Sequence, residues 1–334
     1  MKNYKGLFFE YVTDFLNIYL RKQCGKSENT IESYKDSLTV FRKFLLTEKN
    51  TSIQKFKMTD CTKELVLDFV DYLRKQNGQV STINRHVSAI KSYLWYVSDI
   101  DLSYQSISLS VSHIPTFRLP KFEKECLDSE TLTLIFKAPK NNRKGLRDRT
   151  ILILLYETAI RVSELINIKM NDLFLDVKDP YLLIHGKGDK ERVVALSSKM
   201  IEHLRLYISI YHSSEDCNYL FYNTIKGENG PLCMSTIETF IQKYADQVRE
   251  EYPSMPEKVH PHMFRRSRAT HLYQDGVNLE IVSRMLGHST LETTKIYAKP
   301  SIEMLRKAIE NENDNGTKPA WTDEDEIAKL FGLR

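Results

Sequence analysis

The densest run of basic chemistry in the chain lies between Lys258 and His271, where Lys258, Arg265, Arg266, Arg268 and three histidines follow one another with no acid after Glu257. Such a run favours an anion. His260, His262, His271 and His288 invite a metal reading, but no acid or cysteine stands beside them at ligand spacing, so no metal site is assigned. Phosphate fits better, because planar and permanently charged guanidinium groups match its non-bridging oxygens. Arg161 and Arg265 are the two best placed. A departing alkoxide also needs a proton, which a lysine on a turn can deliver once neighbouring cations lower its pKa. Lys187 sits at such a turn, within Gly186-Lys-Gly-Asp-Lys-Glu191. For the nucleophile there is no P-loop, no G-x-S-x-G and no carboxylate pair of recognisable spacing, which leaves one of the 18 tyrosines as the candidate.

These residues need elements to carry them. Apolar side chains recur at helical spacing over Phe8, Tyr11, Val12, Phe15, Leu16 and Tyr19, and again over Ile31, Tyr34, Leu38, Phe41 and Leu45 after an N-cap at Ser27. A third helix is predicted over Lys63 to Lys75, and a fourth, opened by Ser81, buries Ile83, Val87, Ile90 and Leu94. The far side of that fourth helix carries Ser81, Arg85, Ser88 and Ser92 with no acid. It is read either as a solvated face or as a surface for a phosphate backbone, with Arg85 and Lys91 as candidate DNA contacts. From Leu102 to Cys126 the period fails, serines accumulate and Pro115 and Pro120 appear, so a linker is predicted.

Beyond it, Arg149 to Tyr156 is a strongly apolar segment that belongs inside a second core. Tyr181 to His185 and Arg192 to Leu196 read as a β-hairpin closed by the lysine turn. Helices follow from about His262 to Gln274, closed by Gly276, and from Leu279 to Leu286, closed by Gly287. The tail is separate: Thr322 and the acids Asp323 to Glu326 start a short helix whose apolar edge is Ile327, Leu330 and Phe331, and so short a helix forms only by docking.

A chain of 334 residues suits two domains, and its 41% hydrophobic and 28% charged residues are those of a globular protein, not a disordered or fibrous one. The apolar run Ile151 to Leu155 is far short of the roughly 20 residues a spanning helix needs, and Glu10 and Asp14 interrupt any signal-like start. A cytoplasmic location is expected. The five cysteines are odd in number and never C-x-x-C, so neither disulfides nor zinc are expected. Net charge is only +4, yet the last 24 residues hold six acids against three bases, and residues 1–310 carry 45 bases against 38 acids. That excess permits a polyanionic partner.

Taken together the residues resemble the tyrosine recombinases, the lambda-integrase-like or phage integrase family. Thr158-Ala-Ile-Arg161-Val-Ser-Glu164-Leu165 is similar to that family's first arginine box, Gly186 to Arg192 to its lysine turn, Pro261-His262-Met-Phe-Arg265 to its H-x-x-R box, Leu286-Gly287-His288 to its L-G-H, and Thr293 to Tyr297 to its nucleophile segment. The order matches, with 26 residues from 161 to 187, 75 from 187 to 262, 23 from 265 to 288 and 9 from 288 to 297. Residues 128–300 carry the resemblance firmly. Thr30 to Phe44 and Ser81 to Tyr96 carry it more loosely, as a core-binding domain.

The resemblance implies a mainly α fold with a small β-hairpin or sheet (α+β): a helical core-binding domain over 1–110, a linker over 111–127, a catalytic domain over 128–310 and an acidic tail with a docking helix over 311–334. It implies that Tyr297 attacks a scissile phosphodiester to leave a 3′-phosphotyrosyl bond, that Arg161 and Arg265 stabilise the phosphorane, that His262 and His288 hold the phosphate or exchange protons, and that Lys187 protonates the leaving 5′-oxygen, with no cofactor or metal. Glu164 supports the arginine box, Lys190 and Arg192 are hairpin residues or candidate DNA-backbone contacts, and Arg266 and Arg268 are candidate DNA contacts. The partners implied are double-stranded DNA with paired inverted core sites, a homotetramer on two duplexes that exchanges its tail (Trp321 to Leu333) in trans, and accessory recombination proteins, with no membrane. Arg266, Arg268 and the acidic tail depart from the chromosome-dimer-resolving branch and suggest a mobile-element recombinase acting in transposition or integration. Two rivals remain: a DNA-binding protein that keeps the fold without cleavage, and a type IB topoisomerase-like enzyme that relaxes supercoils by the same phosphotyrosine chemistry.

Overall fold

The computed structural model describes residues 5–118, 125–186, 190–213, 217–223, 230–288 and 290–297, together with Met304 and Arg306. The chain forms two compact units, Met1–Glu123 and Lys124–Arg334. It is mainly helical with one small antiparallel sheet, the α+β class the sequence predicts.

In the first unit the helix Glu28–Glu48 starts beyond an extended Ser27 and buries Ile31, Leu38, Phe41 and Leu45. Lys63–Lys75 begins where the Thr62 hydroxyl accepts from the Leu65 amide at 3.2 Å. Val80–Ile100 buries Ile83, Val87, Ile90 and Leu94 on one stripe. The first predicted helix starts later than its apolar spacing suggests: Phe8 donates its amide to the Phe56 carbonyl at 3.0 Å, and Val12–Asp14 passes into wider turns over Phe15–Gln23, where the Cys24 amide reaches back to Tyr19 at 2.8 Å.

The serine-rich stretch after Leu102, read from sequence as linker, is helical over Gln105–Ser112. Ile107 packs on the first core, and Val111 and Ile114 are buried in it. The Ser108 hydroxyl donates to the Leu94 carbonyl at 2.7 Å, so serine here joins two helices. Lys91 donates its ammonium to the Ser112 carbonyl at 3.1 Å and also to that of Ile114. It thus satisfies carbonyls at the helix end that have no intrahelical partner.

The second unit is built around Arg143–Thr158, whose Ile151, Leu152, Leu154 and Leu155 are fully buried. Asp148, also buried, accepts from Arg147 at 2.7 Å and from the Tyr244 hydroxyl at 2.8 Å, pinning this helix to Met234–Glu251. The sheet runs β1 (Leu173–Phe174), β2 (Tyr181–His185) and β3 (Glu191–Ala195), each pair antiparallel. The predicted hairpin is β2–β3, in register from Tyr181 opposite Ala195 to His185 opposite Glu191. Leu182, Ile184 and Val194 bury one face, which places Arg192, opposite Ile184, on that same face. The acidic tail and its docking helix lie outside the described residues.

Candidate active site

The arginine box begins where Arg143–Thr158 ends. Ala159 closes that helix in the left-handed region at φ 50°, which turns its carbonyl away from the helix ladder. Arg161 then precedes the short helix Val162–Leu165, and Glu164 folds back on it: one carboxylate oxygen accepts the Arg161 amide and the other the Arg161 guanidinium, both at 2.8 Å. Both oxygens of Glu164 also accept from Arg192, at 3.1 and 2.7 Å. Burial alone would raise the Glu164 pKa, but the hydrogen bonds from Arg192 and Arg161 outweigh it and hold the carboxyl below its ordinary range.

Arg265 comes from Pro261–Gln274, a helix opened by proline at its first position. Arg265 is 2% exposed, and its guanidinium donates to the Ala159 carbonyl at 2.6 Å, the Leu286 carbonyl at 2.7 Å and Nε2 of His288 at 3.1 Å. Among the described residues no carboxylate lies within ion-pair distance of it. Burial first, and then the charge of Arg161, lower its pKa to about 10. Among the described residues the site holds three guanidinium groups against one carboxylate, Glu164, which Arg161 and Arg192 share. A buried cation without a counter-charge is costly unless an anion comes to it, so this arrangement favours a phosphate.

The third part of the site is the turn after Leu279–Leu286, a helix capped by the Asn278 side chain at 2.7 Å. Gly287 sits at φ 64°, and a Cβ there would stand 3.0 Å from Arg192 Cδ and 3.1 Å from its Nη1, so the position requires glycine on two counts. Arg192 Nε donates to the Met285 carbonyl at 2.9 Å. His288 follows, with Nδ1 2.8 Å from the Thr294 hydroxyl. Burial, then the charges of Arg265 and Arg161, push the His288 pKa down to about 4. The ring of Tyr297 lies 6.2 Å from that of His288 at 21°, and Tyr297 is 9% exposed in a small cluster with Ala159, Ala269, Val282 and Leu286. His262, one turn before Arg265, is open at the surface; loss of hydration and then Arg265, His260 and Arg266 hold its pKa below the usual value.

Arg161, Arg265, His288 and Tyr297 therefore come together across more than a hundred residues of sequence, with Glu164 beneath them. Lys187 lies outside the described residues. Lys190 is exposed, and its carbonyl accepts the Gly186 amide at 2.7 Å, closing the neck of the turn. Arg85 is exposed on the helix face where the sequence puts it. Four of the charged residues assigned to DNA have other partners. Lys91 holds the carbonyls after the serine-rich helix. Arg192, only 12% exposed in its side chain, braces Glu164. Arg266 donates to the Glu125 carbonyl at 2.9 Å, and Arg268 stacks 5.3 Å over the Tyr156 ring, whose hydroxyl meets His271 at 2.9 Å. Sequence reasoning missed Arg192 as a brace, and missed Ala159 and Thr294. The first was signalled by strand alternation from Val194, the others only by tertiary contact.

The phage integrase family model matches residues 125–304, and the model of the phage integrase N-terminal SAM-like domain matches residues 12–98. The chain is 30% identical over 306 residues to the tyrosine recombinase XerC of Staphylococcus aureus, covering 91% of this chain and 96% of the relative. It is 30% identical over 311 residues to XerC of Staphylococcus haemolyticus, covering 92% and 98%. Its fold is that of the Tn1549 transposon integrase in complex with transposon right end DNA (TM-score 0.69, 14% identity, 90% of this chain and 98% of that one). It is also that of a lambda integrase dimer bound to a core site (TM-score 0.67, 14% identity, 94% and 98%) and of the XerH recombinase bound to its difH substrate (TM-score 0.64, 22% identity, 90% and 84%).

Proposed function

The chain belongs to the phage integrase family and is a tyrosine-type site-specific recombinase, and on that premise we propose that Tyr297 is the nucleophile that opens and reseals its DNA. The phenolic oxygen attacks the scissile phosphorus, the bond from phosphorus to the 5′-oxygen breaks, and a 3′-phosphotyrosyl ester and a free 5′-hydroxyl result. A phenol of pKa near 10 is a competent leaving group, so a 5′-hydroxyl from a second strand reverses the step without any outside energy source. Arg161 and Arg265 hold the non-bridging oxygens as charge builds on them, His288 and His262 complete the phosphate pocket or take up the proton that the phenol loses, and Lys187 gives its proton to the departing 5′-oxygen. Glu164 orients Arg161. The observation that carries this reading is the buried Arg265 guanidinium, bonded to two carbonyls and to the His288 imidazole and lacking a carboxylate partner among the described residues, with the Tyr297 ring 6.2 Å from that imidazole.

The assembly in this reading is a homotetramer that brings two duplexes together at paired inverted core sites. Strands are exchanged in two rounds through a Holliday junction, and the segment Trp321 to Leu333 is passed to a neighbour. The N-terminal helical unit, whose core extends to Ile114, and the catalytic unit, whose core includes Leu127, divide the work of holding and cutting the duplex, in the cytoplasm, with accessory proteins at the site. The substrate sites are the ends of a mobile element, recombined in transposition or in integration and excision. A second reading has the sites resident in a chromosome. It is favoured by the end-to-end likeness to the XerC recombinases and by the internal partners of Arg266 and Arg268, which remove one reason for setting the chain apart.

A nicked suicide substrate tests the enzyme. A covalent protein–DNA adduct that is lost in Tyr297→Phe supports the proposal, and adduct persisting in that variant overturns it. Recombinant product rather than relaxed circles separates a recombinase from a topoisomerase.

A further inference from the structure

Resting on the reading of Tyr297 as nucleophile, we propose that Thr294 is a positioning residue: its hydroxyl, delivered by the nucleophile's own segment, fixes the His288 imidazole with the proton on Nδ1 and the lone pair of Nε2 facing Arg265. The argument is one of donors and acceptors. A guanidinium has only N–H donors, so the 3.1 Å contact from Arg265 to Nε2 requires Nε2 to accept. In a neutral imidazole the proton is then on Nδ1, and its partner at 2.8 Å is the Thr294 hydroxyl, which accepts. The position near pKa 4 keeps the ring neutral at pH 7, so one tautomer must be chosen.

Arg265 makes that choice, and Thr294 accepts the resulting Nδ1 proton and couples the ring to the phenol. Thr294 is fully buried, so water does not stand in for its hydroxyl. Its amide donates to the Leu291 carbonyl at 2.8 Å, and its carbonyl accepts the Tyr297 amide at 2.9 Å. The hydroxyl that holds His288 and the phenol beside His288 therefore travel on one short turn, Glu292–Lys295 and the residues after it. With that turn docked, the imidazole keeps its lone pair on Arg265. Without the hydroxyl, either a buried Nδ1–H lacks an acceptor or the opposite tautomer sets two N–H donors against each other at Arg265, and both are costly. The hydrogen bond from His288 Nδ1–H to Thr294 thus reports whether the nucleophile segment is seated.

Nitrogen-15 NMR of the full-length protein labelled at histidine, together with cleavage of a nicked suicide duplex, tests this. Wild-type protein is expected to show His288 as the Nδ1–H tautomer. Thr294→Val, nearly the same shape, is expected to keep the Nδ1–H tautomer, to lose the hydrogen-bonded shift of that nitrogen and to slow adduct formation by about ten-fold to a hundred-fold. Thr294→Ser is expected to keep the tautomer and that shift and to cleave within a few-fold of wild type. Tyr297→Phe is expected to keep the tautomer while forming no adduct. An Nε2–H signature in the wild type, or Thr294→Val cleaving at the wild-type rate while Tyr297→Phe is inactive, overturns the role of Thr294 and leaves the nucleophile standing. Thr294→Ser as slow as Thr294→Val points to packing and overturns it equally. Adduct surviving Tyr297→Phe overturns the nucleophile reading and with it the coupling to the docked segment.

Discussion

Arg192 and Glu164, 28 residues apart in the chain, meet in a two-pronged ion pair at 3.1 and 2.7 Å, with side chains only 12% and 6% exposed. The same guanidinium reaches the Met285 carbonyl, so a β3 residue ties the arginine box to the turn that carries His288. Arg192 thus works as an internal brace between the two segments.

Removing the brace leaves the Glu164 charge with Arg161 alone. Arg192→Ala is expected to cost about 3 kcal/mol of stability in chemical denaturation and to slow cleavage, while Arg192→Lys, which keeps charge but not the fork, recovers only part of either. Because the Glu164 pKa is held below its ordinary value, the stability it contributes is present above about pH 4 and is lost as pH falls through its lower folded value. Acid denaturation of Arg192→Ala is therefore expected to lose its dependence on that window in part, which a pH series of melts will show.

Gly287 permits the brace to close. Gly287→Ala places a Cβ about 3.0 Å from the Arg192 side chain on a left-handed backbone. The strain alone is about 1–2 kcal/mol. Thermal melts are expected to show at least that loss, with cleavage reduced beyond it because Arg192 has to move.

Proton NMR titration of the His288 ring is expected to show no transition near the ordinary histidine value of about 6.5 and one near 4. A histidine kept neutral in this way contributes no loss of stability above its unfolded pKa and a progressive loss as pH falls from there towards 4. Arg265→Gln removes the nearest positive charge and is expected to move the transition back up towards 6.5. A transition unchanged by that substitution contradicts the electrostatic account of the site.

Arg85 and Lys91 lie on one helix and are expected to behave oppositely. Arg85→Ala is expected to weaken duplex binding across all sequences and to reduce the salt slope by about one. Lys91→Met is expected to lower the melting temperature and to leave the salt slope intact, because its ammonium is already bonded to the Ser112 and Ile114 carbonyls. Binding isotherms at several salt concentrations separate the two.

What the sequence discloses here depends on whether local rules or distant contacts decide. Leu279–Leu286 is read to the residue, because its apolar stripe ends at a glycine that the left-handed turn requires. The β2–β3 hairpin is read within one residue at its far strand, because alternation and a polar turn define it. Gln105–Ser112 is not read, since its serines suggest a linker and the residues that hold it, Ile107, Val111 and Ile114, count as a stripe only once the Leu94 surface they meet is known. In the site, the arginines and histidines are visible as types at intervals. That Arg265 spends its donors on the carbonyls of Ala159 and Leu286 depends on where two other helices end, which no local pattern carries.

The most direct test of the central claim is to trap the covalent complex on a nicked duplex, digest it and sequence the DNA-bearing peptide by mass spectrometry. The expected result is a single modified peptide, Thr293 to Lys295 followed by Ile296 and Tyr297, with a 3′-phosphate joined to the Tyr297 oxygen. A DNA adduct on any other residue, or no adduct from a protein that binds the duplex, contradicts the account.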